Sequence, residues 1–213
     1  MTDLVIIGTT PLAREVARGV GRINEERGAT FNLLGFTDEE KTGELMGYPI
    51  LGKLEDFLKM DRKVQFFVAD MDGYVRERIA KICKAAGFTG ATIVDVEGSL
   101  YPGCQFGEGT YMGFKTYKSA MTKVGDFCVI LQGSIIGHDT TVGDYSTFGM
   151  NASLGGDSVI GNHTTLGFRC TMINLINTPD NCEFAAGSCV IKNTNQPGYY
   201  EGVPAKLVRP YEG

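Results

Sequence analysis

Residues 124–166 read VGDFCVILQGSIIGHDTTVGDYSTFGMNASLGGDSVIGNHTTL. Every sixth residue from Val124 is large and apolar: Ile130, Ile136, Val142, Phe148, Leu154, Ile160 and Leu166. Four places after each stands a small one, from Cys128 and Ser134 to Thr164 and Cys170. The register runs outward in both directions, from Val94 to Thr194, and takes in Gly98, Cys104 and Cys182 as small positions. Lys118 and Thr178 break the large series, and Ile176 breaks the small one. A six-residue period fits neither a 3.6-residue helix nor a two-residue strand. It fits a β-solenoid of short strands and tight turns, in which each coil packs on its neighbours. Three hexads close one triangular coil, so each residue stacks on the one eighteen places later. A glycine often follows the large residue, as at Gly125, Gly137, Gly143 and Gly155, and reads as a supply of positive φ where the chain turns. Oversized Ile176 beside undersized Thr178 conserves interior volume. Lys118 reads as an irregular coil or a subunit surface.

The 213 residues suffice for one large domain or two small ones. A net charge of −5 and the lack of a basic run argue against nucleic acid as the main partner. No stretch approaches the roughly 20 apolar residues of a membrane span. The amino terminus, MTDLVIIGTT, lacks the pattern of a secretory signal, so a cytoplasmic location is expected. The six cysteines form no CxxC pair, which argues against zinc. Cys104, Cys128, Cys170 and Cys182 fall on small inward positions and read as reduced core residues.

Ahead of the repeat, strands alternate with helices, the pattern of a small parallel α/β sheet. DLVII ends at Gly8, and a helix over 12–22 follows with Pro11 at its first position after a threonine cap. FNLLGFT (31–37) ends at Asp38, and VQFFVA (64–69) is a third strand. A helix over 74–86 places Val75, Ile79 and Ile82 on one face. Strand–glycine–helix is how phosphate-binding units begin, although Gly8 stands alone where GxGxxG would supply three glycines.

Four stretches carry a resemblance: IIGTTPLAREVA, LLGFTDEEKTGELMGYPILGKLEDF, GSIIGHDTTVGDYSTFG and EGVPAKLV. Together with the hexad repeat they resemble the NeuD/PglD-type sugar acyltransferases. The resemblance implies a Rossmann-like α/β domain over 1–92, a left-handed parallel β-helix over 93–194 and a C-terminal arm over 195–213. It implies a homotrimer that moves an acetyl group from acetyl-CoA to an amino or hydroxyl group of a sugar, nucleotide-linked sugars among them. Two places depart from the family. Gly8-Thr9-Thr10-Pro11-Leu12 stands for a G-x-G-G-H turn, and Asp70-Met71-Asp72 for a Gly-Asn-type loop. Two acids beside a phosphate site would repel a diphosphate.

Of the two histidines, His138 lies two residues past an inward isoleucine, on a turn where packing requires no imidazole. Acyl transfer needs a base near neutral pH, which histidine supplies. The position matches the family's catalytic histidine, with Asp139 as the carboxylate that orients the ring. One coil on is Gly156, whose N–H suits an oxyanion. Two coils on is Asn174. Lys192 continues the column, and Lys206 in the arm is a second candidate for the CoA phosphates. His163 reads as a solvated turn or a residue lent by a neighbouring subunit. Gly8, Thr9, Thr10 and Asp38 are the acceptor-binding candidates, at the C-terminal ends of parallel strands. A non-catalytic trimeric scaffold that binds a sugar or nucleotide, or transfer from another acyl-CoA, fits the same residues.

Overall fold

The computed structural model describes residues 1–96, the backbone of Ser99–Leu100, and residues 103–212. Gly98 and the side chain of Leu100 lie outside the described residues. The chain opens with β1 (Thr2–Ile7), α1 (Pro11–Arg27), β2 (Phe31–Thr37), the small hairpin β3 (Glu44–Leu45) and β4 (Tyr48–Pro49), α2 (Leu54–Phe57), β5 (Gln65–Val68) and α3 (Gly73–Ala85). β1, β2 and β5 form a parallel sheet in the order β2-β1-β5. Thr10 caps α1 through its side chain, with Pro11 in the first turn, and Asp72 caps α3 by accepting from the Tyr74 N–H at 2.8 Å. No helix among the described residues is long and apolar enough to cross a membrane.

From Ile93 the chain winds into a three-sided solenoid. Face I carries Ile93–Val94, Tyr111–Met112, Val129–Ile130, Thr147–Phe148, Thr165–Leu166 and Cys182–Phe184. Face II carries Ser99–Leu100, Tyr117–Lys118, Ile135–Ile136, Ser153–Leu154, Thr171–Met172 and Cys189–Val190. Face III runs from Gln105–Phe106 to Asn177–Thr178. All three pair in parallel with an eighteen-residue offset, as at Ile136↔Leu154 and Leu154↔Met172. The large series fills the interior: Ile136, Phe148, Leu166 and Phe184 are wholly buried. Ile176 and Thr178 both face inward and are buried. The strand pair Gly198–Gly202 and Ala205–Pro210 then extends face I as an antiparallel hairpin.

Two expectations change. The glycine after each large residue is not the one with positive φ. That role falls two places later, on Asp139, Tyr145, Asp157, His163 and Leu175 among others. The glycine is needed for space: a Cβ on Gly143 would stand 2.6 Å from the Asn162 nitrogen, and one on Gly155 2.6 Å from the Ile173 carbonyl carbon. Each coil therefore sits on the bare backbone of the next. Lys118 belongs to a regular coil, pairing with Ile136, and points into the interior. Its ammonium has no hydrogen-bond partner among the described residues and lies 5.1 Å from the centre of the Phe106 ring.

The α/β unit packs on face I. Outward-facing Tyr111, Val129 and Thr147 are buried beneath it, in one cluster with Leu12, Val16 and Val20 of α1 for the first two. Burial on α3 differs from the expected stripe. Arg76, Ala80 and Cys83 are the buried residues, whereas Ile82 is exposed. Arg76 crosses the junction with its whole guanidinium. Nε donates to the Phe127 carbonyl at 2.7 Å, Nη1 to Asp70 and Met71 at 2.9 Å, and Nη2 to Tyr145 at 2.6 Å and to Thr147 Oγ1 at 2.9 Å. Burial of the cation lowers its pKa to about 10.

Candidate active site

The corner between faces II and III holds His138. Glycines before it let the coils approach, and Asp139 turns the chain at φ 53°. Asp139 Oδ2 lies 3.0 Å from His138 Nδ1. A carboxylate from the next coil joins it: Asp157 Oδ2 is 3.7 Å from the same nitrogen. The Asp157 N–H donates to the His138 carbonyl at 2.9 Å, which fixes the two coils in register. Both acids occupy the same αL position of successive coils, so counting eighteen from Asp139 finds Asp157, which the reading of the sequence did not single out. A Cβ on Gly156 would stand 2.7 Å from His138 Nε2 and 2.8 Å from Cε1. The missing side chain makes the bed on which the imidazole lies. Strand pairing continues the column to Asn174 and Lys192. Lys206 lies instead on the hairpin of face I, away from that column within one chain.

The sheet of the α/β unit ends in a cavity of about 310 Å³ that collects Gly8, Thr9, Thr10 and Asp38, with Glu39, Glu40, Lys41 and Asp70. Asp38 accepts from the Thr9 hydroxyl and from the Glu40 and Lys41 amides at 3.0 and 2.9 Å. Those bonds, that of Thr9 first, hold its carboxyl below the usual range. Of the two acids set against a phosphate by the sequence, Asp70 lines this cavity; Asp72 caps α3 and borders another depression.

The two halves are apart. The cavity belongs to the unit seated on face I, and His138 to the corner opposite that face, as a vertex lies opposite a side of a triangle. One chain brings the members of each half together but does not join the halves.

No family model and no curated protein matches the sequence. Solved structures do. The acetyltransferase domain of PglB from Neisseria gonorrhoeae, in complex with acetyl coenzyme A, superposes with a TM-score of 0.91 over 97% of this chain and 99% of that one, at 19% identity. PerB from Caulobacter crescentus, in complex with CoA and GDP-perosamine, gives 0.86 over 96% of each chain, at 22% identity. WeeI from Acinetobacter baumannii gives 0.78 over 96% of this chain and 99% of that one, at 19% identity. The chain has the NeuD/PglD-type acetyltransferase fold.

Within that fold His163 is no solvated turn. Its ring stacks between Tyr74, 4.2 Å away, and Tyr145, 5.1 Å away, and Nε2 meets Glu77 Oε2 at 3.2 Å. Nδ1 is buried without a hydrogen-bond partner among the described residues. Burial, the largest influence, lowers the imidazole pKa, against the opposing pull of Glu77. The ring is part of the joint between α3 and the solenoid of the acetyltransferase fold. Sequence spacing could place it on a corner, but not beneath a helix from the other unit.

Proposed function

We propose that the protein is an acetyltransferase, carrying acetyl from acetyl-CoA to an amino or hydroxyl group of a sugar. The observation that carries this reading is His138, held by Asp139 across the bare backbone of Gly156. An acidic partner on Nδ1 keeps the proton there and leaves Nε2 as the base. The acceptor nitrogen or oxygen attacks the thioester carbonyl carbon, and its proton passes to Nε2. The carbonyl oxygen becomes an oxyanion, for which the Gly156 N–H is the donor. The C–S bond then breaks, and the leaving CoA sulfur takes the proton from the imidazolium. Asn174 and Lys192, further down the same column, are the residues proposed to line the pantetheine and meet the CoA phosphates. Residues 1–92 hold the acceptor, 93–194 the donor, and 195–213 add Lys206.

Because the two halves lie at opposite parts of the triangle, the reaction needs a second copy of the chain, and we take the assembly to be a homotrimer. Lys206, on face I with the acceptor unit, then meets the His138 column of a neighbour. The relatives support the reading: one was solved with acetyl coenzyme A, another with CoA and GDP-perosamine. The test is thiol release from acetyl-CoA in the presence of a panel of amino and hydroxyl sugars. His138→Ala is expected to lower kcat by about 10²–10⁴, the worth of a positioned base, with CoA binding unchanged. A variant that keeps most of its activity overturns the assignment.

A further inference from the structure

The corner between faces III and I is a rack for helix α3. Phe127, Tyr145, His163 and Asn181 stand eighteen residues apart on it, each in the left-handed region, at φ 50°, 58°, 51° and 62°. All four rungs touch the α/β unit. The Phe127 ring stacks on Phe66 of β5 at 5.9 Å, and the Phe127 and Tyr145 carbonyls accept from Arg76. The His163 ring lies within 9° of parallel to Tyr74, and Asn181 Oδ1 accepts from the Tyr74 hydroxyl at 2.5 Å. The helix starts hard against these rungs. A Cβ on Gly73, its first residue, would stand 2.3 Å from the Tyr145 carbonyl oxygen and 3.2 Å from His163 Nδ1.

What the rack holds in place is a wall of the cavity assigned above to the acceptor. Asp70, in the loop ahead of α3, lines that cavity. The Asp70 and Met71 carbonyls accept from Arg76 Nη1, one turn into the helix, and Met71 accepts also from the Thr147 hydroxyl at 2.9 Å. A shift of the first turn of α3 therefore carries the wall with it.

Of the four rungs only His163 titrates near neutral pH. An ionised carboxylate only accepts, so Glu77, 3.2 Å from Nε2, fixes the proton of the neutral ring there. A second proton has to go to Nδ1, which is buried against Gly73 with no hydrogen-bond partner among the described residues. It also puts a cation at the positive end of α3. Burial, the largest influence, and Arg76 oppose that charge; Glu77, Asp180 and Asp72 favour it. Glu77 is shared with Lys81 at 2.7 Å, and Asp144 and Tyr211 border the same depression.

Resting on the reading of that cavity as the acceptor site, we infer that His163 is a positioning residue and an acid-sensitive latch: the neutral imidazole seats α3 and the acceptor wall, and uptake of a second proton unseats them. Release and protonation are linked, because the freed ring takes a proton more readily than the seated one. The wall is held above the ordinary imidazole value of 6.5 and loosens as pH falls through and below it.

The experiment follows hydrogen exchange by mass spectrometry on the intact protein, without any acceptor, at pH 7.5, 6.5 and 5.5. The readout is the protection factor of residues 71–78, which removes the intrinsic pH dependence of exchange. In the wild type it is expected to fall by about threefold or more from pH 7.5 to 5.5, while residues 170–177 of the solenoid keep their protection. In His163→Phe, which retains a flat ring, the fall is expected to vanish. In Glu77→Gln it is expected to begin at a lower pH, since a group that favours the imidazolium is gone. No fall in the wild type, a fall retained in His163→Phe, or one spread evenly over the solenoid overturns the inference. Circular dichroism checks the fold of each variant; if His163→Phe does not fold, Glu77→Gln decides, and an unmoved response overturns the latch. Acetyl transfer plays no part in this measurement. If exchange behaves as expected while thiol release fails with every sugar, the transfer reading falls and the latch stands.

Discussion

His138 illustrates how little a residue's own position decides. Its side chain is half exposed, and its orientation comes from two carboxylates in successive coils, at 3.0 and 3.7 Å from one nitrogen. Removing either leaves the other, so the expected pattern is non-additive. Asp139→Asn and Asp157→Asn each lower kcat by less than about tenfold, while the double variant approaches the loss of His138→Ala. Steady-state kinetics on the four proteins, with KM for acetyl-CoA unchanged, checks this; simple additivity counts against a shared role. Lys118 makes the opposite case, a buried ammonium with no hydrogen-bond partner among the described residues. Burial lowers its pKa to about 8. The unfolded chain keeps the proton up to its ordinary value of 10.5, so the unfolded state binds more protons between those values and stability rises with pH there. Lys118→Met removes the buried ammonium and is expected to stabilise by about 1–3 kcal/mol at neutral pH. It also flattens the rise above pH 8, seen in urea midpoints from pH 7 to 10.

At the scale of elements, α3 is joined to the solenoid by Arg76 and by the stack through His163 rather than by the apolar stripe that periodicity suggests. Arg76→Ala leaves several buried carbonyls without donors and is expected to cost on the order of 3 kcal/mol or more. The reading is the chemical denaturation midpoint. His163 gives the joint a pH dependence. Its pKa is below the ordinary value of 6.5 in the folded protein, so the unfolded state takes up the proton first as pH falls. Stability from this group is present above pH 6.5 and is lost as pH falls through and below that value. The charges around the ring are Glu77, Arg76, Asp180 and Asp72. His163→Phe is expected to weaken the fall in midpoint between pH 7 and 5. These contacts explain what the sequence could and could not show. The solenoid was legible because its period repeats one local rule, although its glycines, read in the sequence as turn positions, prove to be the places where coils touch. The His138, Asp139 and Gly156 corner followed from counting by eighteen. Arg76 and His163 were not legible, because each is defined by a surface some 50–90 residues away in the chain, and a charged residue on a helix ordinarily faces water.

For the whole molecule the decisive relation is between a corner and the side facing it. If donor and acceptor halves come from different chains, two variants that are each inactive restore one another. A mixture of His138→Ala with Glu40→Lys/Asp70→Lys, refolded together, is expected to regain part of the wild-type thiol release, while either alone does not. Sedimentation velocity should show a single trimeric species in each case. A monomer at micromolar concentration, or no recovery on mixing, removes the inter-chain site. The eighteen-residue pairing that builds the column from His138 through Gly156 and Asn174 to Lys192 has one more consequence. Successive coils stand about 4.8 Å apart, so the column is graduated: three steps, about 14 Å, from imidazole to lysine. Its length changes only in whole notches. Eighteen residues added below His138 would move Lys192 one graduation further away on the same edge. Six would carry it round to a different edge and erase the scale. Evolution of the chain can thus reset the length of this column by duplicating a coil, and by no smaller edit.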